Sequence, residues 1–143
     1  MASFSHWLLR KDAQLTQEAR ATVDDIEPIF KAIDEGNISV TQLQALLNTA
    51  RMARPSDLED FISQRVERRR KGGRRQQAKG EFWEALLKQL RTLRKEMITP
   101  ALEGWDLSEA STGDRYTSRV YEAFISHFVA HCQFRLHHKT DAP

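Results

Sequence analysis

Phe82-Trp83-Glu84-Ala85-Leu86-Leu87-Lys88-Gln89-Leu90-Arg91-Thr92-Leu93-Arg94-Lys95-Glu96-Met97 is the stretch that decides the fold. Phe82, Trp83, Leu86, Leu87, Leu90, Leu93 and Met97 fall on one face of an α-helix. Lys88, Arg91 and Lys95 share an arc of about 60° on the opposite side, at about 100° per residue. An apolar stripe of this length must be buried against other elements, and the rest of the chain offers helices to do it. Upstream, Ala19, Val23, Ile26, Phe30 and Ile33 keep helical spacing, with a break or kink expected near Ile26 because Pro28 follows. Phe4, Trp7 and Leu8 predict a separate short helix at the start. Gly36-Asn37 is suited to a helix exit. Ser39 with Gln42 and Ser56 with Glu59 have the spacing of capping boxes. They lead into Leu43, Leu46, Leu47 and Ala50, and into Leu58, Phe61, Ile62 and Val66, with Pro55 closing the first of the two. Thr99-Pro100 should end or bend the Phe82 helix, a loop is expected around Gly104 to Asp114, and Val120, Tyr121, Phe124, Ile125, Phe128 and Cys132 define a last helix. No alternating pattern predicts a strand, so the expectation is an all-α bundle of about five helices in a single domain over 1–143.

Composition bounds the rest. Of 143 residues 40% are hydrophobic, too many for a chain that stays unfolded. No apolar run approaches the roughly 20 residues that span a bilayer, which predicts no membrane partner. The start of the chain lacks a basic region followed by an apolar stretch, so no secretory signal is expected there. Cys132 is the single cysteine and fits a reducing, cytoplasmic setting.

The formal net charge of +2 conceals a marked asymmetry. Between positions 65 and 95 stand Arg65, Arg68, Arg69, Arg70, Lys71, Arg74, Arg75, Lys79, Lys88, Arg91, Arg94 and Lys95, against Glu67, Glu81 and Glu84 alone. The remainder of the chain carries an excess of acids. Around Gly72-Gly73 the helical period dissolves, and like-charge repulsion predicts a mobile basic loop over about 68–80, with a polar tail over about 137–143. A basic loop running into a basic helix face suits a phosphate backbone, since the planar guanidinium bridges phosphate oxygens. These twelve residues are the candidate nucleic-acid contacts. A helix-turn-helix over the segments starting at Ser39 and Ser56 would put Asp57, Glu59 and Asp60 toward phosphate, which repels them.

Candidate chemistry is sparse. His127 and His131 have the spacing of a metal clip on a helix, but Arg135 stands where a third ligand would come, and a phosphate-contacting strip with Arg119 and Arg135 is the other use of that face. As a nucleophile Cys132 would need a base and a cleft, and the sequence pattern assigns it neither. No phosphate-binding glycine motif, zinc-finger spacing or serine-nucleophile motif is present. No catalytic residue, cofactor or metal is predicted.

Two segments carry a family resemblance: Ile38-Ser39-Val40-Thr41-Gln42-Leu43-Gln44-Ala45-Leu46-Leu47, and the aromatic-rich Tyr121-Glu122-Ala123-Phe124-Ile125-Ser126-His127-Phe128-Val129-Ala130-His131-Cys132-Gln133-Phe134. With the size and helical character, the chain resembles the small helical subunits of CRISPR RNA-guided surveillance complexes, nearest those of type III effectors. In place of that group's basic-aromatic middle helix this chain has the Arg68 to Lys79 segment. The resemblance implies a non-catalytic antiviral-defence subunit that lies along a ribonucleoprotein beside other protein subunits and further copies of itself. It would hold RNA or single-stranded DNA by its backbone, without sequence specificity. The alternative is a helical adaptor or regulator whose basic segment grips an acidic protein surface.

Overall fold

The computed structural model describes the backbone of residues 4–32, 40–70, 74–104 and 110–141, and the side chains within 4–26, 41–68, 80–104 and 113–134. The described residues are helical apart from the short α2–α3 connection. They form α1 (Phe4–Ala32), α2 (Val40–Met52), α3 (Pro55–Arg70), α4 (Arg74–Leu93), a π-helical turn (Arg94–Ile98), α5 (Thr99–Gly104) and α6 (Ala110–Asp141). Because α4, the π turn and α5 are continuous, the bundle consists of five rods.

The expected short first helix and its successor are one helix. Leu15, fully buried, bridges the charged interval between Leu8 and Ala19, and α1 runs unbroken through Pro28 to Ala32. Pro55 opens α3 rather than closing α2: it stands at the first helical position, where its missing N–H costs nothing. Arg54 accepts the first bond of α3, from the Leu58 N–H at 3.0 Å, so Ser56 and Glu59 lie inside the helix and form no capping box. The Gly36-Asn37 exit and the Ser39 cap lie outside the described residues.

Helix occupies most of the stretch 68–80 where a basic loop was expected. Helix α3 extends to Arg70 and α4 begins at Arg74, leaving 71–73 outside the described residues. Arginine, glutamine, alanine and lysine all favour helix, and cations at the end of α3 complement its dipole, so helix persists beyond the last apolar residue. The same holds at the C-terminus, where α6 continues to Asp141 through the expected tail.

Packing follows from the stripes. Helix α6 lies between α1 and α2, α3 pairs with α4, and α4 also touches α1. Phe4 stacks on Tyr116 at 4.1 Å and Asp12 meets His127, so α1 and α6 run parallel. Ser118 donates to the Ala53 carbonyl and Phe82 packs on Phe128, which sets α2 and α4 antiparallel to α6. The α3–α4 tip therefore stands at the end of the bundle where α6 finishes. Trp83, Tyr121, Phe82, Phe124 and Phe128 are the largest fully buried side chains and form the aromatic centre of the core.

Met97 was expected to end the stripe of α4, but Ile98 is the buried residue and Met97 is only half-buried. The step from Leu93 to Ile98 is the spacing of a π turn, in which the Thr99 N–H donates to the Arg94 carbonyl. Pro100 supplies a cause. Inside a helix it removes one backbone donor and drives its ring at the carbonyl four residues back, and a wider turn just upstream relieves both. The chain thus continues past Thr99-Pro100 instead of ending there.

Candidate nucleic-acid interface

The twelve candidate residues divide into three groups. Arg69, Arg70, Arg74, Arg75 and Lys79 have a helical backbone at the α3–α4 tip, Lys71 lies between the helices outside the described residues, and the side chains of all six lie outside them too.

Arg65, Arg91 and Arg94 are engaged within the protein. The Arg65 guanidinium lies 3.5 Å from the centre of the Phe61 ring and 5.5 Å from that of Trp83, and its NH1 donates to the Phe61 carbonyl. It closes over the core as a cation on aromatic faces. Arg94 NH1 donates to Glu59 Oε2 at 3.0 Å, and Arg91 Nε stands 3.7 Å from Glu59 Oε1. One carboxylate thus faces two guanidiniums, and the cluster keeps a net positive charge. Tyr121 also reaches Glu59 Oε2, at 3.5 Å. Burial, reinforced by the Glu59 charge and opposed by Arg94, pushes the Tyr121 hydroxyl well above its ordinary value. Glu59 was read from its spacing as part of a cap. Its actual partners lie 32, 35 and 62 positions away in the chain, a distance that no local pattern reports.

Arg68, Lys88 and Lys95 form the third group. All three are exposed, and none is in an ion pair with a described residue. Lys88 and Lys95 belong to a groove of about 460 Å³ between α3 and α4. Val66 and Leu87 contribute apolar walls, Glu67 and Glu84 line it as well, and Lys88, Arg91 and Lys95 make its basic side. A second hollow of about 300 Å³ sits at the π turn, lined by Arg91, Arg94, Lys95 and Thr99. Arg91 and Lys95 belong to both.

Other candidate chemistry is committed elsewhere. His127 Nε2 lies 2.8 Å from Asp12 Oδ1 and 3.1 Å from Thr16 Oγ1. Thr16 gives its own proton to the Asp12 carbonyl, so the ring nitrogen is the donor to both oxygens and ties α6 to α1. That nitrogen is one of the two ring atoms that a metal clip with His131 could use. No group of three or more metal-ligating side chains occurs among the described residues. Cys132 is fully buried, and burial pushes its thiol far above the ordinary value, which keeps the sulfur protonated. Trp83 is fully buried too, so its ring is closed to base stacking, and its Nε1–H finds no acceptor among the described residues. None of the described helices is long and apolar enough to cross a membrane. No protein-family model, curated protein or solved structure matches the chain.

Proposed function

We propose that this protein is a non-catalytic subunit of a ribonucleoprotein that holds nucleic-acid backbone by charge, without reading sequence. The observation that carries the proposal is the exposed set Arg68, Lys88 and Lys95, which is spread from the end of α3 along α4 to the π turn and forms no ion pair with a described residue, while Arg65, Arg91 and Arg94 are engaged internally. Phosphate attracts such a row regardless of base identity, because each phosphate neutralised releases condensed counterions. Base contacts would need exposed aromatic or amide groups aimed outward, and Trp83 is not available for that. The ribonucleoprotein setting, and a place among CRISPR small subunits, rests on the resemblance of 38–47 and 121–134. Leu43, Leu46, Tyr121, Phe124 and Phe128 in those segments are core residues, so the resemblance lies in packing positions and not in a contact surface.

The test compares wild type with a variant in which Arg68, Arg69, Arg70, Arg74 and Arg75 are all alanine, using labelled oligouridine and a labelled duplex. Wild type should bind both, and the variant should lose at least about tenfold in affinity for each, as expected when several phosphate contacts go. Equal binding by the two proteins would place the interface elsewhere.

A further inference from the structure

Glu59 stands on α3 with its side chain only 15% exposed, yet it meets the basic side of α4. Taking a carboxylate out of water is costly unless cations and donors compensate, and three groups do so here. Oε2 accepts from Arg94 NH1 at 3.0 Å and from the Tyr121 hydroxyl at 3.5 Å, while Oε1 faces Arg91 Nε at 3.7 Å. The two oxygens are thus held unequally. Arg94 and Tyr121 fix one of them. Arg91 faces the other across a distance too long for a good hydrogen bond, with its side chain 64% exposed against 43% for Arg94.

Arg91 has a second set of neighbours. It comes three residues after Lys88 and four before Lys95, and all three line the basic side of the α3–α4 groove. Lys88 and Lys95 are exposed and in no ion pair with a described residue. A strand that follows the two lysines passes Arg91 between them. If Arg91 turns from Glu59 to a phosphate, Glu59 keeps Arg94 and Tyr121, so the exchange strands no unpaired carboxylate inside the protein. The same exchange at Arg94 would take away the shortest bond that Glu59 makes, and is disfavoured.

We propose that Glu59 is a built-in competitor for nucleic-acid phosphate at Arg91: the free protein commits Arg91 to Glu59, and a bound backbone phosphodiester takes it over while Arg94 and Tyr121 stay with the carboxylate. This rests on the nucleic-acid reading above and deepens it, by naming the one contact whose charge is gated from inside the protein. The carboxylate sets a threshold. A strand already held at Lys88 and Lys95 presents phosphate to Arg91 at high local concentration, which a free anion does not.

The experiment uses the full chain and labelled oligouridine across a salt series. Glu59→Gln should tighten binding by about two- to fivefold, the worth of one partly exposed ion pair. It should also steepen the plot of log affinity against log salt by about 0.7, the share of one single-strand phosphate. Glu84→Gln is the control: Glu84 is exposed, lines the same groove and loses the same charge, but is in no ion pair with a described residue. Adding Arg91→Ala to each variant separates the causes, because it should abolish most of the Glu59→Gln gain and leave any Glu84→Gln gain intact. An equal Glu59→Gln gain with and without Arg91 would reduce Glu59 to a general repulsive charge. Weaker binding by Glu59→Gln would make it a positioning residue for Arg91. Either result overturns the proposal. Should Glu59→Gln fail to fold, the wild type decides: on saturation with oligouridine the Arg91 Nε–H resonance should move while that of Arg94 stays, and an unmoved Arg91 signal refutes the exchange. Wild-type binding combined with any of these negative results leaves the broader interface standing, whereas no binding by wild type removes both proposals.

Discussion

At the scale of single residues, burial has converted several reactive groups into structural ones. Cys132 and Tyr121 lie in the core, and for both the removal of water from the side chain is the largest cause of a raised ionisation point. The consequence is a defined pH dependence. Each group stays protonated in the folded chain but ionises from its ordinary value upward, 9.0 for the thiol and 10.0 for the phenol, once the chain unfolds. Well below pH 9 neither contributes a slope. Above it the unfolded state binds fewer protons than the folded state, so stability falls with rising pH, by up to about 1.4 kcal/mol per pH unit for each ionising group. Denaturant unfolding between pH 8 and 11 should show the midpoint dropping from pH 9 onward, and Cys132→Ala should remove the part of the drop that begins at the lower pH. A stability that stays level over that range would mean that the two groups are more hydrated than their burial implies. Glu59 is the counterpart among the charged residues. Its side chain is 15% exposed and binds Arg94, Arg91 and Tyr121, so two of the twelve candidate contacts are partly spent inside the protein.

At the scale of elements, the π turn is the feature that most changes the picture. The stripe from Phe82 to Leu93 was legible because it repeats with the α-helical period, and six of its residues are buried as that period requires. Met97 was the natural next member, and the structure buries Ile98 in its place, because an inserted residue is invisible to any rule that assumes a constant period. This gives a sharp comparison. Ile98→Ala should cost about 2–4 kcal/mol of unfolding free energy, and Met97→Ala less than about 1.5 kcal/mol, if the wide turn sets the register. The reverse order would restore a plain α-helix through Met97. Pro55 teaches a similar lesson, since a proline between two helical patterns can close one or open the other. The choice is made by Arg54, whose carbonyl accepts the first bond of α3. The twelve candidate contacts were legible as charge, but their division into free and engaged groups was not. That division depends on Glu59 and the Phe61 ring facing α4 across the helix pair, which is a property of the assembled bundle.

At the scale of the whole molecule, up-down packing places the arginine-rich junction of α3 and α4 at one end of the bundle. The groove between those helices then leads from the middle of α4 down to the π turn. Lys88, Arg91 and Lys95 are thereby brought to one edge of the α3–α4 groove, while Glu18 and Glu122 are engaged elsewhere, with Gln89 and Arg51. A protein arranged in this way should take up a strand of nucleic acid along that edge by charge alone. The most direct measurement is the equilibrium binding of wild type to labelled single-stranded RNA between about 50 and 200 mM salt, the range in which counterion release is read most clearly. Binding whose logarithm falls linearly with the logarithm of salt, at a slope of about −3 or steeper, is the predicted result for four or more phosphates. No binding at the lowest salt, or binding that salt leaves unchanged, would contradict it.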